Sequence, residues 1–246
     1  MCRSTFCWFG SLASDVTTRA VLFDLGNTLV GYYSSAEFPD VLRRCLQECA
    51  EALGLPGDSD RERETYNRGL LLNQEQPDYA VRPLTERLER LFGAAASPDA
   101  LVAAFLRPIF SMARLDPNAL FVLDALRSAG IKTAIVSNTP WGSPADVWRQ
   151  ELQRHGLLDR VDATVFCMDV GWRKPHRAPF ERALSLLGVG PAEAIFVGDD
   201  PRWDAIGAQG AGLRPVLLVP SVGDGIDVHL TIRDLRGVIA LVQAAR

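Results

Sequence analysis

The chain has 246 residues, 48% of them hydrophobic, enough apolar material for one large core or two modest domains. Its formal net charge is −4, and its arginine-rich spots alternate in sign, as in Arg61-Glu62-Arg63-Glu64. That alternation reads as a solvated helix face and argues against nucleic acid as a partner.

Residues 1–19 hold a short apolar patch, Phe6-Cys7-Trp8-Phe9-Gly10, with Arg3 the only basic residue before it. It falls short of the roughly 7–15 apolar residues of a secretory core, and it reads as a loose extension. No run approaches the roughly 20 residues of a membrane span, so no membrane partner is expected. In VLFDLGNTLV, residues 21–30, an apolar β-like run leads into Asp24 and is broken by Gly26, Asn27 and Thr28. Residues 36–115 then offer four helices and no convincing strand. Ser59 to Glu62 resembles a capping box, Ser97-Pro98 is another start signal, and Gly54, Gly93 and the Pro77–Pro83 stretch separate the helices. Cys45 and Cys49 stand one turn apart and read as two half-buried thiols on one face rather than a metal pair. Five cysteines without repeating spacing make no disulfide framework and suit a reducing cytosol.

From residue 116 the pattern alternates regularly. Asp116-Pro117 starts a helix whose apolar stripe is Ala119, Leu120, Leu123 and Leu126, ending at Gly130. Ile131–Val136 is a strand running into Ser137-Asn138, and a helix follows from about Pro144 to His155. A strand at Ala163–Cys167, a helix at Pro179–Leu187 and a strand at Ala194–Val197 come next, the last ending in Gly198-Asp199-Asp200. Asp204–Ala211 reads as helical and Val216–Val219 as a strand. Such repetition specifies an α/β fold, a doubly wound parallel sheet with helices on both faces. Residues 20–35 and 116–246 form this core, and 36–115 are an inserted helical cap.

Ligands of open α/β sheets bind at the carboxyl ends of strands. Those ends carry Asp24, then Ser137-Asn138, then Lys174 in Gly171-Trp172-Arg173-Lys174-Pro175, then Asp199, Asp200 and Asp204. A carboxylate nucleophile, a hydroxyl, a cation and an acidic cluster thus converge on one crevice. Each alone is weak evidence, but four in this order are specific.

These residues resemble the four motifs of the haloacid dehalogenase (HAD) superfamily, over about residues 20–220, with the helical block similar to that superfamily's C1-type cap. The resemblance implies a Rossmann-like core and hydrolysis of a small phosphorylated metabolite. Asp24 would attack phosphorus and carry an aspartyl-phosphate. Mg²⁺ would be held by Asp24, the carbonyl of Gly26 and Asp199. Lys174 would hold Asp24 and the phosphoryl oxygens, while Ser137 and the backbone around Asn138 would donate hydrogen bonds to them. Asp200 and Asp204 would orient Lys174 and metal-bound water.

The first motif, usually Asp-x-Asp-x-Thr, is here Asp24-Leu25-Gly26-Asn27-Thr28. In the superfamily's phosphatases the second Asp protonates the leaving oxygen, and glycine supplies no such group. Loss of a general acid–base costs about 10²–10⁴ in rate. Three readings follow: another acid such as Asp200 stands in, the leaving group needs little protonation, or the protein binds phosphorylated ligands and turns them over poorly. The superfamily's metal-independent dehalogenases also lack that Asp, but Asp199, Asp200 and Asp204 would crowd a metal-free site with negative charge.

Trp141, Trp172 and Trp203 flank three of the motifs, with Arg173 and Arg202 beside two of them. They read either as packing of the cap on the sheet rim or as an aromatic wall for the leaving group, Arg173 serving a second anionic group. Tyr32 and Tyr33 fall in the hinge between core and cap. His176 reads as a helix-start residue, and His155 and His229 are too isolated to carry a role.

Overall fold

A computed structural model of the chain describes residues 17–55, 57–73, 76–93, 97–219 and 230–244. The apolar patch at residues 6–10 and His229 lie outside the described residues. Strand β1 (Ala20–Phe23) opens the fold, and β2 (Val30–Gly31) leads into helices α1 (Phe38–Ala52), α2 (Ser59–Leu72), α3 (Leu84–Phe92) and α4 (Pro98–Ser111). Then come β3 (Arg114–Leu115), α5 (Ala119–Ser128), β4 (Lys132–Ser137), α6 (Ala145–Arg154) and β5 (Ala163–Phe166). The remainder is α7 (Cys167–Val170), α8 (Ala178–Leu187), β6 (Ala194–Gly198), α9 (Gly207–Gly210), β7 (Arg214–Leu218), β8 (Thr231–Ile232) and α10 (Gly237–Ala244).

Six strands form one parallel sheet in the order β5-β4-β1-β6-β7-β8. β1 is central and fully buried, which explains its unbroken apolar run. Its side chains alternate between two cores. Val21 and Phe23 join Ile135, Ile195 and Val197 against α5 and α10, while Ala20 and Leu22 join Ala134, Val136 and Phe196 against α8. The chain crosses to opposite sides of β1 after β1 and after β5, so the strand order reverses there. Phe23 is level with Ile135 of β4 and Val197 of β6, so Asp24, Ser137 and Asp199 emerge together at one sheet edge.

The cap leaves and rejoins the core through β2 and β3, an antiparallel two-residue ribbon pairing Val30 with Leu115 and Gly31 with Arg114. In α1, Val41, Leu42, Cys45, Leu46 and Cys49 form the buried stripe, and α4 is its main partner. Both thiols are buried rather than half-buried.

Several local readings are corrected. Asp58, not Ser59, caps α2, accepting from the N–H groups of Asp60 and Arg61. Asp116 holds a turn by accepting from the N–H of Asn118, and α5 begins only at Ala119. The helical turn expected at Asp204 begins at Pro201, and its first six residues are π-wound. β3, β8 and α10 had no clear signature: the two strands have two residues each, too short for any periodicity.

Candidate active site

Asp24 sits at the end of β1, 8% exposed, with its N–H bonded to the carbonyl of Val197 at 2.8 Å. Lys174, 2% exposed, reaches it from the loop before α8: Nζ donates to Asp24 Oδ1 and to Asp204 Oδ1, both at 2.6 Å. Burial works against the Lys174 ammonium, but Asp204 and Asp24 outweigh it and hold its pKa above the usual lysine value. Asp204 accepts a further hydrogen bond at Oδ2 from the N–H of Asp200, 3.1 Å away. Its carboxyl is pushed up by burial and by Asp24, against the pull of Lys174. Asp199 is pushed up to about 7, first by burial and then by Asp24 and Asp204.

Asp24, Asp199 and Asp204 present oxygens within 4.8 Å of one another, a hard-donor set suited to a small divalent cation. Both oxygens of Asp204 are already engaged. The carbonyl of Gly26 takes no hydrogen bond among the described residues, so Asp24, Asp199 and that carbonyl are the donors left to face an ion. The raised Asp199 carboxyl is what three crowded acids with one ammonium between them should show.

Asn138 ties two motif loops together. Its Oδ1 accepts from the N–H of Lys174 at 2.8 Å and its Nδ2 donates to the Lys174 carbonyl at 3.2 Å. Its side chain is therefore occupied, although the residue lines the cavity. The hydroxyl of Ser137 makes only a 3.4 Å contact to the Asn138 carbonyl and stays available to a ligand. Asp200 also lines the cavity, but its Oδ1 accepts from the N–H groups of Arg202 and Trp203, capping the π turn rather than orienting Lys174.

A cavity of about 490 Å³ joins these residues to the cap. Trp141, Trp203, Tyr32, Tyr33 and Arg173 line it. Trp172 does not: it is 40% exposed and stacks on His176 with ring centroids 5.2 Å apart. Trp141 is 3% exposed, has a left-handed backbone (φ 56°) and packs on Phe105 of α4 at 5.1 Å, so it joins core to cap as well as walling the cavity. Arg173 and Arg202 lie over the ring of Trp203 at 5.3 and 4.4 Å. Tyr32 leans edge-on against Trp148. His155 binds Glu151 on α6 and takes no part in the cavity.

Gly26 does not need to be glycine. Its φ lies outside the left-handed region, and a Cβ built there meets nothing nearer than Tyr32 Cδ2 at 4.0 Å. The absent carboxylate is a chemical choice, not a backbone requirement.

The segment from Gln76 to Pro83 is fastened to the loop that carries Trp172 and Arg173. Val81 N–H bonds the Gly171 carbonyl and Arg173 N–H bonds the Tyr79 carbonyl, each at 2.9 Å, with Ala80 bridged to Trp172. On the other side Gly142 (φ +68°) lies so close to the Arg82 carbonyl that a Cβ there would overlap it.

A family model for haloacid dehalogenase-like hydrolases matches residues 18–212. The chain belongs to that family. It is 31% identical over 214 residues to a ribulose-1,5-bisphosphate 5-phosphatase of Halopiger xanaduensis, covering 82% of this chain and 85% of that protein. It is 30% identical over 205 residues to a glyceraldehyde 3-phosphate phosphatase of Pyrococcus furiosus, covering 80% and 79%. A HAD phosphatase structure from Thermococcus onnurineus superposes with a TM-score of 0.67 at 25% identity, covering 92% of this chain and 98% of that one. The chain is thus a HAD-type phosphohydrolase with an inserted helical cap.

Sequence reasoning singled out the motif residues but missed Arg87 and Asn73. Asn73 lines the cavity from the end of α2, and Arg87 of α3 donates from Nη1 to Asn73 Oδ1 at 3.2 Å. One signal was available for Arg87: it falls in phase with Leu84, Leu88 and Leu91, the buried stripe of its helix.

Proposed function

We propose that the chain hydrolyses a small phosphate monoester in a Mg²⁺-dependent reaction, with Asp24 as nucleophile. The observation that supports this best is the Lys174 ammonium held 2.6 Å from both Asp24 and Asp204, at the mouth of the sheet and beside Asp199. Asp24, Asp199 and the Gly26 carbonyl would hold the ion. When bound, Mg²⁺ supplies positive charge to the phosphoryl oxygens and lets two anions meet.

The chain's own residues account for the remaining steps. Lys174 fixes Asp24 through Oδ1, and Oδ2 takes no hydrogen bond among the described residues. An Asp24 oxygen attacks phosphorus, and the bond from phosphorus to the leaving oxygen breaks, giving an aspartyl-phosphate and an alkoxide. The Lys174 ammonium and the Ser137 hydroxyl steady the phosphoryl oxygens. Gly26 donates no proton, so the alkoxide takes its proton from water. A second water then attacks phosphorus, giving a proton to the hydroxide left by the first; the bond from phosphorus to the Asp24 oxygen breaks, releasing inorganic phosphate and regenerating the carboxylate.

The missing acid favours a second reading, a phospho-ligand binder with slow turnover. The dehalogenase reading is disfavoured by the crowded carboxylates. Phosphate release measured over a panel of metabolite phosphates, with and without Mg²⁺, tests the proposal. Release that stops on chelation and is absent in Asp24→Asn supports it; undiminished release in excess chelator refutes it.

A further inference from the structure

Among the described residues, five buried side-chain polar atoms lack a hydrogen-bond partner, and three of them are N–H donors: Trp141 Nε1 and Arg173 Nε on residues that line the cavity, and Arg87 Nε on a residue that packs on Trp141. Arg87 is 5% exposed and lies over the Trp141 ring at 5.6 Å. No carboxylate of the described residues is within salt-bridge distance of Arg82, Arg87 or Arg173. Glu86, the acid beside Arg87 in sequence, pairs instead with Arg90 at 2.7 Å.

A buried guanidinium with no anion is costly, and the half-buried Arg173 near it adds like charge. Burial first, then Arg173 and Arg82, bring the Arg87 pKa down to about 10. The cavity therefore has two poles. At the sheet edge Asp24, Asp199 and Lys174 await a phosphoryl group and its cation, and at the other pole a patch of donors has no anion to meet, Arg87 donating only to the neutral Asn73 Oδ1. Trp141 and Arg173 line the cavity directly, and Arg87 reaches it through Asn73.

From this arrangement, and resting on the phosphohydrolase reading above, we infer that the substrate carries a second anionic group, a carboxylate or a second phosphate, which Arg173 receives while Asp24 attacks the phosphoryl group at the other end, with Arg87 adding its charge from beside Trp141 and Asn73. Trp141 Nε1 offers the same group a neutral donor. Arginine is suited to this, because its planar fork matches both oxyanions.

Three esters with a common primary alkoxide leaving group test the inference: propyl phosphate, 3-phosphooxypropanoate and propane-1,3-diyl bisphosphate. Wild-type kcat/KM should favour the two charged esters over propyl phosphate by at least about tenfold, the yield of one or more charge-assisted hydrogen bonds. The ratio between the two charged esters separates carboxylate from phosphate. Arg173→Gln should collapse the preference, Arg87→Met should weaken it, and Arg87→Lys should keep most of it. Circular dichroism checks that each variant folds. Calorimetric binding of the same three esters to Asp24→Asn reads the second pole without turnover. If none of the esters is hydrolysed but the bisphosphate still binds at least tenfold tighter than propyl phosphate, the catalytic reading fails and the anion pole stands. If all three bind and react alike, the inference is overturned.

Discussion

The carboxylate of Asp204 fills the space that a side chain at residue 198 would occupy: a Cβ on Gly198 would overlap Asp204 Oδ2, Cγ and Cβ. The glycine that ends β6 therefore exists to let a buried acid lie across the strand end and reach Lys174. Gly198→Ala should destabilise the protein by about 1–3 kcal/mol, the usual cost of overpacking. It should also lower kcat, because Lys174 loses the partner that holds it on Asp24. Denaturant unfolding and initial rates check the two effects separately; an alanine variant with wild-type kcat would show that Asp204 can settle elsewhere.

Lys174 lies between two carboxylates with almost no solvent. Replacing it by Met leaves Asp204 and Asp24 uncompensated and should cost about 3–5 kcal/mol of stability along with the activity. Lys174→Met combined with Asp204→Asn should recover much of the stability and none of the phosphate release. Recovery of both would remove Lys174 from the chemistry.

Because the Gly26 backbone accepts a side chain, Gly26→Asp should fold normally. In the wild type an aryl phosphate, whose leaving oxygen carries charge well, should react far faster than an alkyl phosphate by kcat/KM. Gly26→Asp should narrow that gap by accelerating the alkyl ester most, by up to about 10²-fold. Equal wild-type rates on both esters would mean that some other group already supplies the proton.

Asp199 in the folded, metal-free protein titrates near 7, whereas in the unfolded chain an Asp titrates near about 4. Between those values the folded state binds a proton that the unfolded state has released, so this group favours folding at low pH and its contribution is lost as pH rises through about 7. In chelator, the melting temperature of the wild type should therefore fall between about pH 5 and pH 8 more steeply than that of Asp199→Asn. Added Mg²⁺ should raise the wild-type value most above pH 7, where the carboxylate is ionised. Parallel pH profiles for the two proteins would contradict the crowding described at this site.

Burial pushes the thiols of Cys45 and Cys49 up to about 12. At about pH 8 both are protonated, and both should resist iodoacetamide in the native protein and react fully once it is unfolded. Peptide mapping by mass spectrometry reads this out; rapid native labelling would mean that α1 opens easily.

Most of the core was legible because parallel strands buried on both faces write continuous apolar runs, and those of β1, β4 and β6 run into Asp24, Ser137 and Asp199. These three meet because a sheet collects strand ends at one edge whatever the connections do; Lys174 is not at a strand end as the sequence suggested but on the loop after α7, and its long side chain brings the ammonium to them. Asp200 was harder to read. Its proximity in sequence to Asp199 suggested a part in the chemistry, yet two backbone N–H groups of the following turn hold its carboxylate. Arg87 was missed for the opposite reason. Nothing in Leu84-Thr85-Glu86-Arg87-Leu88 marks it as special until the phase of the buried stripe is considered, and its neighbours Trp141 and Arg173 come from loops far away in the chain.

The bonds that hold residues 79–82 against the Arg173 loop and Gly142 are made by main-chain groups: Val81 to Gly171, Arg173 to Tyr79, and the close seat of Arg82 on Gly142. Such a latch is blind to side-chain identity. The bonds at residues 80 and 81 do not depend on the side chains there, and through Arg173 they steady one wall of the cavity. Gly142 is the exception, since any side chain there would push Arg82 from its seat.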